Sequence, residues 1–126
     1  MKGTQNMKLS VDFYTVEQEM NEAIKFNPNF QQWLCQSALF QIGKEESYTM
    51  HINDQAVEKP VVSLDDSVRS KMIGFLHETI VEETKELLFQ IEDLAIHDEL
   101  TYRIGKLIEI LECVKNDQYY YLQRSE

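Results

Sequence analysis

The C-terminal half of the chain contains a long segment with almost no helix-breaking residues. No proline follows Pro60, and between Leu64 and His97 the only glycine is Gly74. Apolar residues recur along this segment at every seventh position, at Ile73, Ile80, Leu87 and Leu94. Such spacing places them on one face of a helix. The sequence therefore predicts a helix of about 30 residues, roughly 45 Å long, which begins after the capping residues at 63–66.

A second helix is predicted to follow a tight turn at residues 96–98, with Asp98 as its capping residue. Its apolar positions again recur at sevens, at Leu100, Leu107, Val114 and Tyr121. The pattern predicts that this helix ends near Tyr121 or Leu122. A short connection makes two such helices antiparallel neighbours, so we expect a long helical hairpin.

The N-terminal half is predicted to contain two further helices. Residues 8–14 alternate between polar and apolar types, which indicates either a strand or the approach to a helix. Thr15 and Gln18 have the spacing of a capping box, which predicts a helix from there to about Phe26. Asn27 and Pro28 suit the start of the next helix, which we expect to end before Gly43.

A small β-hairpin is predicted between the two pairs of helices. Residues 47–53 alternate cleanly, and residues 61–64 form a second short candidate strand after a loose loop. Pro60 disfavours a central place in a sheet. The predicted fold is α+β and predominantly α: four helices with a long C-terminal antiparallel helical hairpin, plus a small β-hairpin. We expect one domain over residues 1–126, with residues 1–7 as a flexible tail.

The composition disfavours several classes of partner. The chain has 12 basic and 22 acidic residues, a net charge of −10. Such a chain repels phosphate backbones and anionic membranes, so we expect neither direct nucleic-acid binding nor membrane binding. Cys35 and Cys113 form no metal-binding motif, and without an export signal we expect a cytoplasmic protein. Whether the two cysteines lie close together is left open.

The acidic residues concentrate in one region. Between Glu78 and Glu99 there are eight acidic residues and one base, Lys85. Three interpretations are open: an ordinary solvated face, a surface for a basic partner, or a metal site. Near the C-terminus, three successive tyrosines on a helix would point in different directions, so at least one is expected to be exposed, as interface anchors are. The predicted partner-binding residues are Glu78, Glu82, Glu83, Glu86, Glu92, Asp93, Asp98, Glu99, Tyr119 and Tyr120.

Part of this acidic region resembles an enzyme family. The sequence at residues 81–87, with Glu83 and Glu86, resembles the first acidic motif of the all-α, MazG-like nucleotide pyrophosphohydrolases. In that family a second motif, ExxD, lies on a neighbouring helix, and the carboxylates together hold Mg²⁺. Here the second motif corresponds either to Glu99 with Tyr102 in place of the aspartate, or to Glu109 and Glu112. The resemblance implies Mg²⁺-dependent hydrolysis of nucleotides as one alternative function.

The function that we expect from the sequence is binding rather than catalysis. An acidic helical surface suits an inhibitor of the immunity, antitoxin or anti-defence type, which neutralises a basic toxin, nuclease or nucleic-acid-binding effector. This hypothesis requires no catalytic residue, cofactor or metal. A third alternative is a structural subunit that forms a homodimer through the C-terminal helical hairpin.

Overall fold

A five-stranded antiparallel sheet forms the centre of the protein. The structure is a computed structural model and describes residues 8–90 and 92–126. The expected flexible tail, residues 1–7, lies outside the described residues. The elements in chain order are β1 (Ser10–Thr15), β2 (Met20–Lys25), α1 (Pro28–Cys35), a 3-10 turn (Ala38–Gln41), β3 (Glu45–Ile52), β4 (Gln55–Ser63), α2 (Asp66–Phe89), α3 (Leu94–Lys115) and β5 (Tyr119–Gln123).

The last strand of the chain lies in the middle of the sheet. The strand order is β2-β1-β5-β4-β3, so β5 joins the β1–β2 hairpin to the β3–β4 hairpin. Leu122 on β5 is opposite Phe13 on one side and Val62 on the other. All three side chains are fully buried in the core that the sheet forms with the helices. The sheet is therefore complete only when the C-terminus of the chain is in place.

The predicted fold of four helices with a small β-hairpin is wrong, because the sheet is much larger. The segment predicted as the first helix is instead the turn and strand β2. Gln18 has a left-handed backbone with φ of 64°, and its N–H donates to the carbonyl oxygen of Thr15 at 2.8 Å. The capping-box pattern at Thr15 therefore forms a turn. Pairing of β2 with β1 then outweighs the weak helical preference of this short segment.

The predicted end of the last helix is also wrong. Helix α3 ends at Lys115, and the three tyrosines belong to strand β5. Asn116 caps the helix and begins the turn, because its carbonyl oxygen accepts from the Tyr119 N–H at 3.2 Å. Successive aromatic residues favour a strand, where alternate side chains go to opposite faces. The seven-residue interval from Val114 to Tyr121 crosses this turn and is a coincidence.

The turn between the long helices lies earlier than predicted. Helix α2 ends at Phe89, and Asp93 caps α3 by accepting from the Ile96 N–H at 3.2 Å. His97 and Asp98 therefore lie inside α3. The two helices are antiparallel: Arg69 at the start of α2 contacts Val114 near the end of α3, and Glu83 contacts Arg103. They form one layer against the sheet, and the second half of α2 and the start of α3 contribute no buried residue to this layer.

The β3–β4 hairpin is longer and tighter than predicted. Its strands are joined by Asn53 and Asp54, which both have left-handed backbones with φ of 53° and 66°. Two such residues are typical of the hairpin turns that match the twist of a sheet. Although β4 lies inside the sheet, it pairs with β5 only at Val62 and Ser63, so Pro60 lies outside that pairing.

The face of the sheet opposite the helices is also closed off. Strand β3 contacts the turn that precedes the other edge strand, β2: the His51 N–H donates to the Gln18 carbonyl oxygen at 2.8 Å. The curved face buries Tyr14, Met50 and Val61 completely. The Tyr14 hydroxyl donates to the side chain of Gln123 at 2.7 Å, and burial raises the pKa of Tyr14 to about 12. This small second core ties β5 to the hairpins on either side.

The two cysteines are both free thiols. Cys35 is exposed at the end of α1, whereas Cys113 is partly buried on α3. Burial, together with the nearby carboxylates of Glu22, Glu109 and Glu112, raises the pKa of the Cys113 thiol to about 11. A thiol with such a pKa is almost entirely protonated at neutral pH and is a poor nucleophile.

None of the helices within residues 8–90 and 92–126 is both long enough and apolar enough to cross a membrane.

Truncating the central leucine of the sheet is expected to destabilise the protein strongly. Leu122→Ala leaves a cavity between β1, β4 and the helices, and should lower the free energy of unfolding by about 2–5 kcal/mol. The matched control is Leu88→Ala on α2, where the side chain is 66% exposed; it should change stability by less than about 0.5 kcal/mol. Urea unfolding followed by circular dichroism measures both. Equal losses would contradict the central place of Leu122.

Candidate functional site

The end of the helical hairpin that is remote from the sheet has no buried core of its own. The buried residues of α2 are Met72 and Leu76, and the first buried residue of α3 is Leu100. None of the described residues between these positions is buried. We call residues 78–99, apart from Ile91, the hairpin tip. Its two helices contact each other through partly buried side chains and leave most of their surface to solvent.

Large apolar side chains are exposed at the hairpin tip. Phe89 is 83% exposed and Leu94 is 73% exposed, on either side of the turn that joins the helices. Leu88 and Val81 are also more than half exposed. Single exposed apolar residues are ordinary, whereas several in one short segment are unusual for a small protein. The seven-residue pattern predicts that Leu94 lies on the apolar face of a helix, but the structure exposes it.

Most carboxylates of the hairpin tip have no cationic partner. Of its eight acidic residues, Glu83 and Glu99 share Arg103, at 2.8 and 3.1 Å. In the described part of the chain the other six make no ion pair: Glu78, Glu82, Glu86, Glu92, Asp93 and Asp98. Asp93 is occupied as the cap of α3, and Glu86 accepts from Gln90 at 3.2 Å. The tip thus combines exposed apolar side chains with an excess of negative charge.

Helix α1 supports the base of the hairpin tip. The Arg103 guanidinium lies over the ring of Trp33, 4.4 Å from its centroid. The Tyr102 hydroxyl accepts from the Asn27 N–H at 2.9 Å, and its ring meets Phe30 edge-on at 6.2 Å. These contacts fix the first half of α3 relative to the sheet. They also line a half-open cavity of about 360 Å³ between α1 and α3, which no pattern in the sequence predicts.

The structure does not bring the predicted tyrosines to the acidic residues. Tyr119 is buried and packs against Phe13, with ring centroids 5.5 Å apart. Tyr121 is partly buried against Tyr48 on the opposite face of the sheet. Tyr120 is 47% exposed, but it follows the far end of α3 and lies beside Asp65 and Asp117 rather than at the tip. The exposed aromatic residue at the acidic surface is instead Phe89.

The carboxylates of the enzyme-like motif do not form a metal site, because Glu83 and Glu99 meet at the Arg103 guanidinium. Glu83 is paired with Arg103, whereas Glu109 lies 3.6 Å from Lys106. Within the residues that the structure describes, no group of three or more histidine, cysteine, aspartate or glutamate side chains is placed to hold a metal ion. The donor set therefore does not fit the Mg²⁺ that the resemblance implies. The central sheet also departs from the all-α fold of that family.

No family model, no curated protein and no solved structure matches this chain. Its function is therefore inferred from the side chains that the structure exposes.

Removing the shared cation at the base of the tip is expected to destabilise the hairpin. Arg103→Met leaves the partly buried Glu83 carboxylate without its partner and should lower the free energy of unfolding by about 1–3 kcal/mol. The matched control is Lys106→Met, one turn along α3, whose pair with the exposed Glu109 should be worth less than about 1 kcal/mol. Urea unfolding of both variants gives the comparison. A loss as small for Arg103→Met as for the control would contradict its assigned role.

Proposed function

We propose that this chain is an acidic protein-binding inhibitor that neutralises a basic toxin, nuclease or nucleic-acid-binding effector by docking the hairpin tip on its cationic surface. The observation that carries this proposal is the coincidence of two features at one place. Phe89, Leu88 and Leu94 expose apolar surface there, and six carboxylates of the same segment have no cationic partner within the described residues. Neither feature contributes to the core of the protein.

The charge of the tip favours a cationic partner. Like charges on neighbouring turns of a helix destabilise it. The tip contains eight acidic residues and a single lysine, Lys85. A basic surface would relieve this repulsion and would be attracted from a distance. Complementary charge speeds association and selects among partners.

The apolar residues favour a protein as the partner. Phosphate groups of a nucleic acid or of a membrane would be repelled by the carboxylates. Phe89 offers what a protein interface uses as an anchor, a large aromatic side chain that becomes buried on binding. A second copy of this chain would bring two acidic tips together, which the same charges oppose.

The charge of the tip suggests how it would inhibit the effector. Surfaces that bind nucleic acid carry lysine and arginine side chains that contact phosphates. The hairpin tip would place carboxylates where those phosphates bind, so that the effector could not hold its nucleic acid. The charged contacts would govern the rate of association, and burial of Phe89 and its neighbours would slow dissociation. This mechanism requires binding alone and no chemical step.

Reversing charge on the tip is expected to abolish fast association. The variant Glu82→Lys, Glu86→Lys, Glu92→Lys changes three exposed residues and spares Asp93, which caps α3. The experiment measures the rate of association with the basic protein that the wild-type chain retains at low salt. This rate should fall by at least about tenfold, and its dependence on salt concentration should flatten. The matched control, Glu17→Lys, Glu112→Lys, Glu126→Lys, makes the same change in net charge away from the tip.

The aromatic anchor gives a second arm to this experiment. Phe89→Ser should leave the free energy of unfolding nearly unchanged, since the side chain is 83% exposed. It should speed dissociation by about tenfold or more and restore nucleic-acid binding by the effector. If the control triple weakens association as much as the tip triple does, the tip is not the docking surface. If the wild-type chain retains no basic protein and has the mass of two chains in solution, the homodimer would be favoured instead.

A further inference from the structure

A cavity of about 360 Å³ lies between the start of α1 and the first half of α3, next to the hairpin tip. Phe30 and Tyr102 contribute aromatic rings to its wall, and Asn29 contributes an amide. Asp98 and Glu99 lie at its acidic side and belong to the hairpin tip as well. A cavity of this size is at the lower end of those that hold ligands and suits one extended side chain.

The charges around the cavity favour a cation. Asp98 and Glu99 line the cavity together with the Arg103 guanidinium. Glu99 and, from α2, Glu83 are both paired with that guanidinium. The balance of these four groups is one positive against three negative charges, or −2. Lys106 lies 5.7 Å from the Tyr102 ring centroid, but Glu109 offsets its charge at 3.6 Å. Asp98 makes no ion pair within the described residues, so its carboxylate is available to a ligand.

We infer that this cavity binds the guanidinium group of an arginine side chain, and that the basic partner of the proposed function supplies this arginine. The inference therefore rests on that function for the source of the ligand. A planar guanidinium can bind a carboxylate such as Asp98 through two parallel hydrogen bonds. It can also stack against the ring of Tyr102, which a lysine ammonium does less well. The same stacking already holds Arg103 over Trp33.

The position of the cavity matches a single docking event. Asp98 and Glu99 lie in the first half of α3, and Leu94 begins the same helix. A partner that covers Phe89 and Leu94 would therefore lie beside the opening of the cavity. An arginine reaching from its surface would fix the orientation of the complex, which the diffuse charge of the tip alone would leave loosely defined.

The test uses N-acetyl-argininamide as the probe, titrated into the full ¹⁵N-labelled chain and followed by NMR. We expect saturable shifts at Asn29, Asp98 and Tyr102. The neutral isostere N-acetyl-citrullinamide should leave these signals unchanged. Asp98→Asn should weaken binding of the arginine probe by about tenfold. The matched control Glu92→Gln, which removes one exposed charge of the tip outside the cavity, should not change it.

Shifts spread over all acidic residues, equal shifts with citrulline, or an affinity unchanged in Asp98→Asn would each overturn the inference. A second arm repeats the capture of the basic partner with Asp98→Asn and with Glu92→Gln, and the former should lose more affinity. Failure of the proposed function would show as no partner for the wild-type chain. Binding of the probe in that case would support the cavity as a guanidinium site and would overturn the partner protein as the source of the guanidinium.

Discussion

The structure depends on the pairing of β5 between β1 and β4. The first hairpin and the second hairpin have no other extended contact within the described residues, apart from the bridge between Glu19 and His51. Two arginines hold β5 at its ends. The Arg69 guanidinium donates to the carbonyl oxygens of Tyr119 and Val114, and Arg124 donates to those of Ile42 and Gly43. Without β5, Leu122 would leave the core and both faces of the sheet would open.

This constraint also explains why the hairpin has a free end. The chain leaves the sheet after β4 and must return to its middle as β5, so the start of α2 and the end of α3 are fixed there. The contacts of Met72, Leu76, Leu107 and Val114 cover the sheet at that end. The hairpin tip lies beyond this contact and adds little to the core. Sequence changes there cost little stability, which is the condition under which a binding surface can be acidic and apolar at once.

The long periodic helices could be predicted from the sequence, and short elements could not. Seven-residue spacing over α2 and α3 is a strong signal, whereas the capping pattern at Thr15 and the interval from Val114 to Tyr121 each depend on a few residues. Strand β2 is held by its pairing with β1, and β5 is held by its pairing with β1 on one side and β4 on the other. The pairing of β5 is long-range, whereas β2 pairs with β1 in a local hairpin; in neither case does the propensity of the segment alone encode its partner strand. The sequence does not distinguish Asp98 from Asp93 as the capping residue of α3, because both can cap a helix.

The candidate site was also only partly predictable. The excess of carboxylates from Glu78 to Glu99 follows from the sequence alone. Two other features do not follow from the sequence: the sharing of Arg103 by Glu83 and Glu99, and the exposure of Phe89. Both depend on how α2 and α3 pack against each other and on where the sheet lies. The cavity beside Tyr102 depends on where α1 packs, so that no pattern along the chain could indicate it.

Amide hydrogen exchange of the free, full chain tests most directly the claim that one end of the hairpin holds the fold and the other is free to bind. We predict that the amides of β5 and of the last two turns of α3 exchange most slowly, near the rate set by global unfolding. Those of the hairpin tip on both sides of the turn should exchange at least about a hundredfold faster. Equal protection along both helices would contradict the account, because it would show that the tip is covered in solution.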